Sequence, residues 1–258
     1  MKTWIKTTAL TAILALTATQ FVQAADPPAA PAAPARQPAD QPAPKLGRDG
    51  KMDGHFAQMH ERFLKEAKAG NIDLLFLGDS ITEGWAGNGK AVWEKNYGDM
   101  KAANFGIGGD RTEHVLWRMD NGELDGISPK VVVLMIGTNN SGNWSADEIA
   151  AADTKIVKEL HEKLPTTKVL LLAVFPRGAD PEAPATIAVR KKLADVNAQL
   201  AKLDDGKTTR YLDIGDKFLN SDGIIRYSIM NDALHPTAKG YEIWAAAMKS
   251  LLDEMMKS

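Results

Sequence analysis

The 258-residue chain is 44 % hydrophobic and 25 % charged, which suits a globular protein with one substantial core. Its formal net charge of −2 argues against a polyanionic partner such as nucleic acid. It has no cysteine, which excludes disulfides, a thiol nucleophile, a thiolate metal site and lipid anchoring through an N-terminal cysteine.

The opening, MKTWIKTTALTAILALTATQFVQAAD, sets two lysines before an apolar stretch from Thr7 to Val22. Val22-Gln23-Ala24 follows, so residues 1–24 read as a signal peptide cleaved after Ala24. The competing reading, an uncleaved anchor, is disfavoured because the stretch is short and diluted by threonines, whereas a spanning helix needs about 20 apolar residues. The expected location is secreted or periplasmic, with no stable membrane insertion after cleavage. Residues 25–45, ADPPAAPAAPARQPADQPAPK, hold seven of the 13 prolines. Such a segment forms neither an ordinary helix nor a sheet ladder. The expected organisation is a disordered Pro/Ala-rich linker over residues 25–50, either a spacer or a leader without a ligand, and one domain over residues 51–258.

From residue 54 helix-like and strand-like patterns alternate. HFAQMHERFLKEAKAG spaces Phe56, Met59, Phe63 and Ala67 for a helix that Gly70 can end. LLFLGDS reads as the first strand and the segment near KAANFGIGG as the second. In TEHVLWRM, a helix puts Val115, Leu116 and Met119 on one face. KVVVLMIGTNN and TKVLLLAVFPRG contain continuous apolar runs, the mark of strands covered on both faces of a parallel sheet. Between them a capping box, Ser145 to Glu148, opens a helix with Ile149, Ile156, Leu160 and Leu164 inward. Another helix is expected over about residues 185–203, a fifth strand in TRYLDI, and a last helix with Tyr241, Trp244, Met248, Leu251 and Met255 on its apolar face. The alternation predicts an α/β fold, a three-layer α/β/α sandwich around a five-stranded parallel sheet.

In such sheets functional groups gather beyond the carboxyl ends of the strands. Gly78-Asp79-Ser80 follows the first strand, Gly106-Ile107-Gly108-Gly109-Asp110 the second and Gly137-Thr138-Asn139-Asn140 the third, while Asp232 and His235 precede the last helix. Each piece alone also reads as turn or cap chemistry. Their joint occurrence, in this order at successive strand ends, does not.

Together the blocks FLGDSITEGW, NFGIGGDRTEHVLWRMDNGELDGISPKVVVLMIGTNN, FPRG and DALHPTAKGY resemble the SGNH, or GDSL-type, hydrolases. Within that superfamily the chain is most similar to the catalytic subunits of intracellular platelet-activating factor acetylhydrolase and their bacterial relatives. The resemblance covers roughly residues 73–252. Ile81 stands where the family name implies leucine, and the leader departs from an intracellular enzyme. The resemblance implies a flavodoxin-like sheet, Ser80 as nucleophile, His235 as base and Asp232 as its orienting acid. It also implies an oxyanion hole from the amides of Ser80 and Gly109 and the Asn139 side chain, no cofactor or metal, and a homodimer as one possible assembly. These roles fit the chemistry, since a neutral hydroxyl needs a base and the developing oxyanion needs preplaced donors.

His55, His60 and His161 are expected on the surface, and His114 in support of the Asp110–Arg111 loop. Trp85, Trp144 and Phe175 read equally as pocket lining or as packing. The expectation is an exported serine esterase that removes a short acyl group, acetyl foremost, from a small-molecule or carbohydrate ester. The alternatives are a lysophospholipase or thioesterase acting on longer chains, and a non-catalytic carbohydrate-binding protein.

Overall fold

The uninterrupted apolar runs become strands that see no water. Every residue of β1 (Leu74–Gly78) and of β3 (Val131–Met135) is buried. β4 (Lys168–Leu172) is buried after its first residue, and β2 (Ala102–Gly106) and β5 (Thr209–Leu212) are the half-buried edges. The structure is a computed structural model that describes Met1 and residues 36–257. The expected signal peptide beyond Met1 and the first part of the linker, residues 2–35, lie outside the described residues.

All four pairings are parallel, in the order β2-β1-β3-β4-β5. Successive side chains point to opposite faces, so each strand feeds two cores. Leu75, Leu77, Val132 and Leu134 pack with Phe63, Leu116, Ile156 and Leu193. Those partners come from α1 (Gly54–Ala69), α4 (Thr112–Asp120), α5 (Ala146–Lys163) and α6 (Pro184–Leu200). On the other face Leu74, Phe76, Val131 and Val133 meet Trp85, Tyr97, Trp244 and Met248. There the covering helices are α3 (Lys90–Tyr97) and α7 (Ala238–Lys257). The result is the three-layer α/β/α sandwich that the alternation predicts.

Local signals set the helix ends. Asp53 caps α1 by accepting from the Phe56 amide at 2.9 Å, and α1 buries Phe56, Met59, Phe63 and Ala67 together with His60. The capping box of α5 forms reciprocally, with Glu148 N–H on Ser145 Oγ at 3.2 Å and Ser145 N–H on Glu148 Oε2 at 2.8 Å. In α7 the buried face carries Leu252, with Leu251 half-buried beside it.

The segment ahead of α1 departs from the expected linker. From Gln37 onward it is a strap packed on the domain. Trp144 Nε1 donates to Gln37 O at 3.2 Å, Thr112 Oγ1 to Ala39 O at 2.9 Å and Lys155 Nζ to Asp40 O at 2.8 Å. Proline lacks an N–H, yet every residue of such a segment keeps its carbonyl, and α4 and α5 supply donors to those carbonyls. A turn over Gly47–Lys51 then returns the chain, Asp53 N–H bonds Lys45 O at 2.8 Å, and α1 begins.

After β1 the chain moves outward to β2 and then returns to place β3 on the other side of β1. This reversal opens a crevice at the carboxyl ends of β1 and β3, where ligands of open α/β sheets bind.

Candidate active site

Ser80 stands at the mouth of that crevice because β1 stops abruptly. Asp79 caps the short helix α2 (Ser80–Glu83), its Oδ1 accepting from the Ile81 amide at 2.9 Å. The turn demands close backbone approach. A Cβ at Gly106 would come within 2.7 Å of the Thr82 carbonyl carbon and 2.8 Å of Asp79 O, so only glycine lets β2 pass this corner. Tyr241 of α7 fixes the corner, donating its hydroxyl to Ile81 O at 2.7 Å.

From the other end of the chain the loop before α7 delivers His235. Ser80 Oγ lies 2.9 Å from His235 Nε2, and His235 Nδ1 lies 2.6 Å from Asp232 Oδ2. A carboxylate only accepts, so Nδ1 carries the proton and Nε2 is left to accept from the serine hydroxyl. Asp232 is itself oriented, its Oδ1 taking the amides of Leu234 at 3.0 Å and His235 at 2.7 Å. Partial burial would raise the Asp232 pKa, but the hydrogen bonds from His235 and these amides hold it below the usual carboxylate range. His235 and Asp232 remain 38 % and 49 % exposed, so this side of the crevice is open.

The glycine loop after β2 lies against Ser80: a Cβ at Gly108 would be 3.9 Å from Ser80 Cβ. Gly109 adopts φ +73°, which glycine takes without strain. Asn139 Nδ2 donates to Asp110 O at 2.8 Å, which ties the loop after β3 to the loop after β2 and leaves that amide a second N–H. Neither the Ser80 amide nor the Gly109 amide has a protein acceptor among the described residues. The five expected site residues therefore converge on one crevice.

Beneath them lies a buried charge network that the sequence did not disclose. Arg118 of α4 is fully buried; its Nη1 bonds Glu123 at 2.6 Å and Phe105 O at 3.1 Å, its Nη2 bonds Gly78 O at 3.3 Å, and its Nε is 3.0 Å from Asp110 Oδ2. One guanidinium thus joins the ends of β1 and β2 to the glycine loop. Burial pushes Asp110 up to about 7 against the pull of Arg118 and Lys45, with Glu123 and Asp79 pushing the same way as burial. Burial likewise lifts Asp79 to about 6, opposed by the Ile81 amide, His235 and Arg177. Asn140 accepts from the Thr112 amide and donates to Glu113 Oε2, both at 3.1 Å, and so fixes the start of α4.

His114 supports the loop as expected, its Nδ1 accepting from the Arg111 amide at 3.1 Å. Burial, then the charges of Arg111, Lys45 and Arg118, depress its pKa to about 3. An unfolded histidine titrates near 6.5, so the stability held by neutral His114 is intact above that pH and is lost as pH falls toward 3. His114→Asn keeps the acceptor without the titration. Between roughly pH 8 and pH 4.5 the wild type should therefore lose about 2 to 3 kcal/mol more than the variant in urea unfolding. Equal losses would exclude His114 as the source.

Other expectations need correction. His60 is buried between Phe56 and Trp117, with Nδ1 3.7 Å from Glu123, because α1 turns that position toward α4. Trp85, Trp144 and Phe175 are buried packing residues. His161 is half-buried on Thr209 Oγ1 at 2.8 Å, whereas His55 is exposed, as expected, and bonds Glu83 at 2.9 Å. The missed residues had one available signal: Arg118 falls three positions after Val115 and two after Leu116, inside the apolar face of its helix.

Comparison with known proteins agrees with this geometry. Residues 76–243 match the GDSL-like lipase/acylhydrolase family. The human platelet-activating factor acetylhydrolase IB subunit alpha1 is 36 % identical over 216 residues, covering 83 % of this chain and 89 % of its own. Among solved structures, a GDSL-like lipase from Bacteroides thetaiotaomicron superposes with a TM-score of 0.62 at 19 % identity, covering 76 % of this chain and 97 % of that one. An acetylxylan esterase from Geobacillus stearothermophilus gives 0.53 at 18 % identity, covering 70 % and 93 %. The family match spans Ser80, Gly109, Asn139, Asp232 and His235, and on it and the likeness to the human relative the chain belongs to the GDSL-like lipase/acylhydrolase family and is a carboxylic ester hydrolase.

Proposed function

We propose that this chain is an exported esterase that removes acetyl and other short acyl groups, with O-acetylated carbohydrate as its substrate class. The observation that carries the mechanism is the relay from Ser80 Oγ through His235 to Asp232, at 2.9 and 2.6 Å. Ser80 attacks the acyl carbon while His235 Nε2 takes its proton, and Asp232 holds the imidazolium that forms. The amides of Ser80 and Gly109 and the second N–H of Asn139 stabilise the oxyanion. Collapse of this intermediate expels the alcohol with the proton from His235. Water, deprotonated by the same imidazole, then releases the acid and restores Ser80.

The surroundings of the site support the substrate class. Beside Asn139 lies a cleft of about 610 Å³ that sets Thr138, Ser141, Arg177 and Lys192 on one side and the apolar Ala185, Ala188 and Val189 on the other. Its polar side can meet a hydroxyl-rich alcohol and its apolar side a short acyl group or a sugar face, and the exposure of His235 and Asp232 admits an ester carried on a polymer. The human relative is named for removing acetyl and the Geobacillus neighbour for acetylated xylan. Among the described residues no helix is long and apolar enough to cross a membrane. The proposed export rests on residues 1–24.

The test is acyl-chain profiling on nitrophenyl esters beside acetate release from acetylated xylan. Turnover should peak at two to four carbons, roughly, and acetate should appear from the polymer. A peak at eight or more carbons, roughly, without release from the polymer would replace this reading with the long-chain one.

A further inference from the structure

The peptide that joins Gly108 to Gly109 is held from outside the glycine loop. Lys45, on the strap ahead of α1, donates its Nζ to Gly108 O. The amide of Gly108 is held in turn by Glu83 of α2, which accepts from it through Oε2 at 2.6 Å. A cation therefore grips the carbonyl of Gly108 and an anion its N–H. The carbonyl gripped by Lys45 belongs to the same planar unit as the Gly109 N–H, the amide without a protein acceptor among the described residues. In a trans peptide the two groups point in opposite directions, so fixing one aims the other.

Lys45 is well placed for this role. It is half-buried, and its backbone is pinned where Asp53 N–H meets Lys45 O at 2.8 Å. Its ammonium occupies the space a side chain at Gly109 would need, since a Cβ there would come within 2.9 Å of Nζ. A charge-assisted hydrogen bond to a carbonyl is about twice as strong as a neutral one, and bonds in sequence polarise one another. Donation into Gly108 O thus makes the Gly109 N–H a better donor as well as a fixed one.

We propose that Lys45 is a positioning residue of the oxyanion site, a part of the strap that presets and polarises the Gly109 amide through the Gly108 carbonyl. This rests on the reading of Gly109 as an oxyanion donor to the Ser80 acyl transfer. Lys45 itself touches no reacting atom. Its effect is exerted where negative charge develops in the transition state, and it should appear in kcat rather than in KM.

The experiment uses the full chain and three variants, Lys45→Met, Lys45→Gln and Lys45→Arg, with Ser80→Ala as reference. Turnover of nitrophenyl acetate is measured per active site, titrated with a fluorophosphonate in the wild type and the Lys45 variants and taken per folded protein in Ser80→Ala, alongside melting temperature. Lys45→Met should lower kcat about 10- to 100-fold with KM within about twofold, less than the 10²–10³ typical of deleting an oxyanion donor outright. Lys45→Arg, which keeps charge and donor, should recover most of the loss, and Lys45→Gln should fall between. Wild-type turnover per titrated site in Lys45→Met, with Ser80→Ala inactive, overturns the role of Lys45 and leaves the serine mechanism standing. So does a loss confined to melting temperature or active fraction. Activity in Ser80→Ala removes the underlying mechanism and this proposal with it.

Discussion

Ser80→Ala is expected to lower turnover of nitrophenyl acetate by about 10⁴- to 10⁶-fold, the range seen when a serine nucleophile of a triad is deleted. The melting temperature should stay within about 2 °C of wild type, because the change removes one partly exposed hydroxyl and no packing. The cap that shapes the corner is the Asp79 carboxylate on the Ile81 amide, and alanine at position 80 leaves it intact. His235→Ala should fall into the same range, since without its Nε2 the hydroxyl at 2.9 Å has no base. Asp232→Asn should cost less, because the imidazole is kept and only its orientation and charge partner are weakened. Steady-state kinetics on the three purified variants, each normalised to folded protein, checks the order. Equal losses for Asp232→Asn and His235→Ala would mean that Asp232 does more than orient the base. Turnover near wild type in Ser80→Ala would refute the assignment.

The members of this relay were legible in the sequence for a physical reason. A parallel sheet buries its inner strands on both faces, so polar residues concentrate where strands end: Ser80 and Asn139 each follow an apolar run, and Gly109 follows the glycine-rich end of the edge strand β2. The topology did the rest, since β1 and β3 flank the reversal in strand order. What stayed hidden lacks periodic pattern. α3 buries only Val92 and Tyr97 and offers too few inward positions to show a period. The strap over residues 37–52 is held by its carbonyls, which every sequence possesses, and by donors far along the chain. Lys45 and Glu83 read as ordinary surface charges until the fold brings both to one glycine. By contrast, His60 lies four residues after Phe56 and three before Phe63, so the helical period already put it on the buried face of α1, and only its polar side chain suggested the surface.

Arg118→Met is the substitution expected to damage stability most. Methionine can fill much of the channel that the arginine stem occupies, so the loss comes from the partners left behind rather than from a void. Glu123 and Asp110 are both fully buried, and without the guanidinium each faces the other's charge. Removing one partner of a buried ion pair costs about 3 to 5 kcal/mol, which in a domain of this size is a fall of about 6 to 20 °C in melting temperature. The carbonyls of Gly78 and Phe105 also lose their donor, so the ends of β1 and β2 loosen beside Ser80. Turnover per titrated site should therefore drop as well, below the temperature at which the variant melts. The double variant Arg118→Met, Glu123→Gln discriminates between causes. If the defect is an uncompensated buried carboxylate, neutralising Glu123 should recover at least about half of the lost stability, since replacing a whole buried pair by neutral groups is often nearly neutral. Recovery of stability without recovery of turnover would assign the activity loss to the two freed strand ends. A single variant that melts within about 2 °C of wild type would show that the network is not what holds the corner.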